Sequence, residues 1–79
     1  TEERRVDLVK RSKAEAENCK VSIRSARKDA NDEIKNLGKE GLAEDLGKDA
    51  EVSIQKLTDN FISKVEEILK EKEIEIMKV

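Results

Sequence analysis

Apolar residues recur at every seventh position through the first half of the chain, at Val9, Ala16, Ile23, Ala30 and Leu37. Three residues beyond the first four of these come Ser12, Cys19, Ala26 and Glu33. Such spacing places a stripe along one side of an α-helix, here a stripe of mostly small side chains that lets a neighbouring helix approach closely. In the second half Ile54, Leu57, Phe61, Val65, Ile68, Leu69 and Ile76 follow steps of three and four, which suit a helix and not a strand.

The pattern predicts one helix over about 2–37, a connection over about 38–42 and a second helix over about 43–77. Thr1 is a suitable N-cap, and Glu2 and Glu3 sit in the electropositive first turn. Gly38 directly after Leu37 reads as the left-handed residue that stops the helix, and Gly41 as a further turn signal. Glu44 and Asp45 suit the first turn of the second helix, which Gly47 weakens by roughly 1 kcal/mol relative to Ala.

Two long helices with a short connection make an antiparallel hairpin, each arm about 50 Å long at ~1.5 Å per residue. Ile62, Leu69 and Ile76 flank the main seam of the second helix, and a single partner helix covers only part of so broad a face. The expected fold class is therefore all-α: a long antiparallel two-helix hairpin that is part of a three-helix bundle, the third helix coming from elsewhere in the protein or from a second copy.

Composition narrows the chemistry. Of 79 residues 46% are charged, Phe61 is the one aromatic and there is no Pro, a mixture suited to long packed helices and unsuited to a sheet. Disorder is the other home of so charged a chain, and the regular apolar spacing argues against it. One Cys and no His leave no internal disulfide framework and no metal site of thiolate and imidazole type. Cys19 has no His to act as its base, so it reads as a small buried hydrophobe. Asp45, Asp49, Glu66, Glu67, Glu71, Glu73 and Glu75 read as a solvated acidic face. With no Gly-rich phosphate loop either, neither enzyme activity nor a cofactor is expected.

No apolar run is long enough to span a bilayer, and Thr-Glu-Glu-Arg-Arg at the start is not a targeting sequence. A cytoplasmic location is the default expectation. A chain without an initiator Met reads as a fragment or a processed piece.

Charge is unevenly placed. Residues 1–37 carry ten Lys/Arg against eight Asp/Glu, and residues 38–79 seven against eleven. Lys13, Lys20, Arg24, Arg27, Lys28 and Lys35 form a cationic stripe beside the apolar one on the first helix. A solvated surface is the ordinary explanation of such a run. Against it stand the position beside the seam, the two Arg three residues apart and the scarcity of intervening acids. Arg suits bidentate contacts with phosphate. The lack of aromatics excludes base stacking, so an RNA would be met through backbone and shape. Arg24 and Arg27 are both expected to lie off the seam.

Four blocks resemble bacterial ribosome-recycling factors: Thr-Glu-Glu-Arg-Arg (1–5), Val-Ser-Ile-Arg-Ser-Ala-Arg-Lys-Asp-Ala-Asn-Asp (21–32), Ile-Gln-Lys-Leu-Thr-Asp (54–59) and Glu-Lys-Glu-Ile-Glu-Ile-Met-Lys-Val (71–79). The resemblance covers nearly the whole chain. It implies a three-helix bundle interrupted, between its first and second helices, by a small β-rich domain. This sequence resembles the second and third helices only.

The resemblance further implies a bundle that binds ribosomal RNA of the large subunit near the peptidyl-transferase region. With elongation factor G the family splits post-termination ribosomes, without being an enzyme. By position Arg24 and Arg27 match the family's RNA-facing arginines, and Arg5 a further basic contact near the interdomain hinge. Lys28 stands where many members have Arg, which keeps the charge and loses the bidentate fork. The RNA-binding set expected is Arg24, Arg27, Lys28, Arg5 and Lys20. Without the inserted domain no recycling activity is expected of this chain by itself. The competing expectation is a self-associating helical interaction module with no RNA role; homo-oligomerisation of the isolated chain is expected on either reading.

Overall fold

A computed structural model describes residues 1–78. It consists of two helices, α1 over Glu2–Lys39 and α2 over Glu44–Met77. Contacts that pair Lys20 with Glu66, Arg27 with Gln55 and Ile34 with Gly47 run in opposite directions along the two helices, so the hairpin is antiparallel. It is a thin slab, 60 × 15 × 7 Å between Cα atoms. The all-α hairpin expected from the apolar spacing is the fold observed.

α1 begins where the sequence offers a cap. The Thr1 hydroxyl accepts the Arg4 backbone N–H at 3.3 Å, and Glu2 and Glu3 occupy the first turn. α2 has no such side-chain cap at Ala43, although Glu44 and Asp45 lie in its first turn and oppose the positive end of the helix dipole.

The end of α1 differs from expectation. Gly38 is still helical, and the residue with positive φ is Gly41, at 113°. Leu42 N–H bonds back to Leu37 O at 2.9 Å and Gly41 N–H to Gly38 O at 3.3 Å, the paired closure of a Schellman turn. Either glycine satisfies the local requirement. The later one brings Leu42 over the seam, where its side chain would lie 4.0 Å from a Cβ added at Gly47.

Along α1 the half-buried or buried positions are Arg5, Val9, Ser12, Ala16, Lys20, Ile23, Arg27, Ala30, Asn31 and Ile34. Along α2 they include Gly47, Ala50, Ile54, Thr58, Ile62, Val65, Leu69 and Ile76. Small side chains at the closest points permit the approach that the heptad pattern suggested. Ala16 and Thr58 are the buried residues among those described. Thr58 is tolerated there because its hydroxyl donates to Ile54 O at 2.8 Å, one turn earlier in its own helix.

Several positions expected in the seam lie outside it. Leu57, Phe61 and Ile68 are 57%, 52% and 53% exposed. Leu37 and Cys19 are exposed as well, so Cys19 is not the buried hydrophobe its spacing suggested. Ile62, taken for a flank, is half-buried one turn beyond the buried Thr58. One partner helix covers only a narrow stripe, and α2 has two adjacent apolar stripes.

The second stripe is open. Two shallow grooves border it, one lined by Ser12, Cys19, Val65 and Ile68 and the other by Ile23, Ala26, Leu57 and Phe61. Cys19 and Ala26 are seven residues apart, as are Phe61 and Ile68, so both grooves lie on one face of the slab. The accessible surface of 6466 Å² exceeds the roughly 4,900 Å² expected of a compact chain of this mass. The excess follows from the elongated two-helix slab, which has no second layer on either broad face.

The two glycines at the turn predict effects of opposite sign. Gly38→Ala adds a methyl into open space within a helix and raises stability by about 1 kcal/mol. Gly41→Ala forces a side chain into a left-handed conformation and lowers it by about 1–2 kcal/mol. Urea titrations followed by circular dichroism distinguish them; equal effects would contradict the assignment of Gly41 as the turn's left-handed residue.

Candidate nucleic-acid interface

The face opposite the open apolar stripe is built from the cationic flank of α1 and a polar flank of α2. Gln55, Asp59 and Glu66 share that flank of α2, since eleven residues span about three helical turns. Five cations on α1 are the predicted site, and their environments differ.

Arg24 and Lys28 are exposed and lie on the same side of the helix, four residues apart. Arg5 is half-buried near the free end of α1 and pairs loosely with Glu2 at 3.8 Å. It lies far along the rod from the other four and, seven residues before Ser12, on the flank of α1 that borders the open apolar stripe.

Lys20 is not a free cation. Its ammonium lies 3.1 Å from the Glu66 carboxylate across the seam and 3.5 Å from Glu17 on its own helix, with the side chain 12% exposed. The hydrogen bond to Glu66 holds its pKa above the ordinary lysine value, against a smaller opposing effect of partial desolvation, and the charges of Glu66 and Glu17 act in the same direction as the bond. Its clearest structural role is therefore a tether between the helices.

Arg27 is not off the seam, contrary to expectation. It is half-buried, and its Nη1 donates to the Gln55 side-chain oxygen on α2 at 3.2 Å. Gln55 in turn donates to Asp59 at 3.0 Å. The Arg27 Nε and the Asn31 Oδ1 one turn further on are buried without hydrogen-bond partners. The guanidinium thus reaches across the hairpin while its stem fills the seam, a use of Arg in which the aliphatic part packs and the charged head stays at the rim.

The structure brings Lys20, Arg24, Arg27 and Lys28 onto one surface, about two turns of α1 long. Sequence reasoning missed the α2 side of that surface: Gln55, Asp59 and Glu66. A signal was present in Gln55 and Asp59, an amide and a carboxylate four residues apart, which is the spacing of a helical side-chain pair. What the sequence lacked was the register that sets them opposite Arg27.

Among the described residues no group of three His, Cys, Asp or Glu side chains is placed to hold a metal ion. No helix among the described residues is long and apolar enough to cross a membrane. The surface carries Arg24 and Lys28 exposed beside Arg27, together with the carboxylates of Glu17, Asp59 and Glu66.

Residues 1–77 match the family model described as "Ribosome recycling factor". The chain is 60% identical over all 79 of its residues to the ribosome-recycling factor of Flavobacterium psychrophilum, of which it covers 42%. It is 57% identical over its full length to that of Flavobacterium johnsoniae, again covering 42%. Against the ribosome-recycling factor of Bdellovibrio bacteriovorus it is 52% identical, covering 43% of that protein. The chain thus spans less than half the length of the curated relatives it matches.

The Lys20 tether carries a pH dependence. The folded chain holds the Lys20 proton more tightly than the unfolded chain, because Glu66 accepts its hydrogen bond. The stabilisation is therefore complete below the ordinary lysine value of 10.5 and is lost as pH rises through the raised pKa. Thermal melts of wild type and Glu66→Gln, compared from pH 8 upward, converge in the alkaline range in consequence. A constant difference across that range would show that the ion pair contributes nothing of its own.

Proposed function

This chain belongs to the ribosome recycling factor family, and from that premise we propose that it is an RNA-docking hairpin of a ribosome-recycling protein. It meets large-subunit ribosomal RNA through Arg24, Arg27 and Lys28, with Arg5 a separate basic contact at the far end of the rod and on its other flank. Lys20 serves chiefly to fix α2 against α1 beneath that surface. In a longer protein the docked hairpin acts with elongation factor G to split post-termination ribosomes; the hairpin by itself docks without splitting. The single observation that carries this reading is the exposed pair Arg24 and Lys28 on the flank away from the apolar stripe, with the Arg27 guanidinium reaching from the seam to Gln55 beside them. Arg24 and Lys28 are thereby kept clear of the surface that a further helix would cover.

Binding of this kind is driven by counterion release and weakens steeply with salt. Reversal of Arg27 would also disturb the seam, so Arg24→Glu combined with Lys28→Glu is the cleaner probe. Co-sedimentation with large ribosomal subunits at low and moderate salt shows salt-sensitive binding by the wild type. The double variant loses that binding while keeping its helicity. Unchanged binding by the variant would refute the docking surface.

The open apolar stripe supports an additional property of the isolated chain, association with a second copy. Leu57, Phe61 and Ile68 are each about half exposed, and completing the burial of such a side chain is worth about 1 kcal/mol. Sedimentation equilibrium shows concentration-dependent association for the wild type and a monomer for Phe61→Lys. Arg24→Glu with Lys28→Glu leaves association intact, which separates a pure association module from an RNA-docking one. A wild-type monomer at high concentration would rule out self-association.

A further inference from the structure

The hydrogen-bond chain that leads from Arg27 to Asp59 has a direction fixed by chemistry. A guanidinium only donates and a carboxylate only accepts, so the amide between them has one satisfactory orientation, with its oxygen toward Arg27 and its nitrogen toward Asp59. The two observed bonds, at 3.2 and 3.0 Å, have that orientation. We propose that Gln55, oriented by Asp59, is a positioning residue for RNA docking, holding the Arg27 guanidinium in place without neutralising it. The proposal rests on the reading of this face as an RNA-docking surface.

Lys20 supplies the contrast on the same flank. Two carboxylates surround it, and its charge is compensated within the hairpin. Arg27 crosses the same seam but meets a neutral amide, so its full positive charge remains for an external anion. The carboxylate on its line of contacts, Asp59, is one hydrogen bond removed and is occupied by the amide.

The geometry of the fork agrees. Arg27 Nε is buried and unpartnered, and one Nη1 hydrogen is committed to Gln55. Of the five N–H donors of a guanidinium, the remaining Nη1 hydrogen and both Nη2 hydrogens are uncommitted, the set that a phosphate takes in a two-point contact. A long side chain already held at stem and head loses less freedom when the anion arrives.

The test measures binding to large ribosomal subunits across a salt series for wild type, Gln55→Met, Gln55→Glu, Arg27→Gln and Arg24→Gln, with helicity followed by circular dichroism. Gln55→Met leaves the charge of Arg27 and removes its guide, so binding weakens several-fold with the salt slope unchanged. Gln55→Glu cancels the charge locally, so binding weakens further and the slope falls by about one. In an Arg27→Gln background Gln55→Met has no additional effect. A purely structural role for Gln55 would instead lower helicity or stability and would act equally in both backgrounds. If Gln55→Met and Gln55→Glu bind as wild type while Arg24→Gln weakens binding, the positioning role is overturned and the docking surface stands. If no variant alters binding, or the wild type shows no salt-sensitive binding, the docking reading falls and the positioning role with it.

Discussion

Everything in this hairpin depends on one antiparallel seam between two helices, and a helix can offer a single partner only a narrow stripe. Ala16, Ala30, Gly47 and Thr58 keep the helices close along that stripe, and Val9, Ile23, Ile34, Ile54, Ile62, Val65 and Leu69 supply its apolar surface. The register so fixed sets Glu66 opposite Lys20 and Gln55 opposite Arg27. It also decides which residues are left out. Leu57, Phe61 and Ile68 fall to one side, and the charged flank to the other.

This division gives the slab two unlike faces. One is apolar and shallowly grooved, suited to a further helix; the other carries cations, an amide and carboxylates. The difference between Lys20 and Arg27 shows how neighbours assign roles to similar charges. A lysine between two carboxylates becomes a fastening, and its raised pKa records that. An arginine facing an amide stays a net cation.

The conformational demands at the turn are met by the same logic of register. Two glycines three residues apart were equally able to end α1, and the choice fell on Gly41 because Leu42 then closes over the end of the seam. Thr58 illustrates the converse. A polar residue enters the seam without penalty because its hydroxyl finds a carbonyl one turn earlier in the same helix, a partner that requires no tertiary contact.

The sequence alone determined the two helices, their approximate ends, the N-cap at Thr1, the antiparallel pairing and the cationic stripe, because each follows from spacing or from local chemistry. The four blocks that resemble ribosome-recycling factors were legible in the same way, as strings of residues in order. Tertiary structure decided what spacing left open. α2 carries apolar residues over more than one stripe, and periodicity does not say which stripe a partner covers; hence Ile62 and Thr58 lie inside, and Leu57, Phe61, Ile68 and Cys19 lie outside. Nor does a list of cations say which are compensated. That depends on residues some thirty to fifty positions away in the chain, and only the register of one helix against the other brings Glu66 to Lys20 and Gln55 to Arg27.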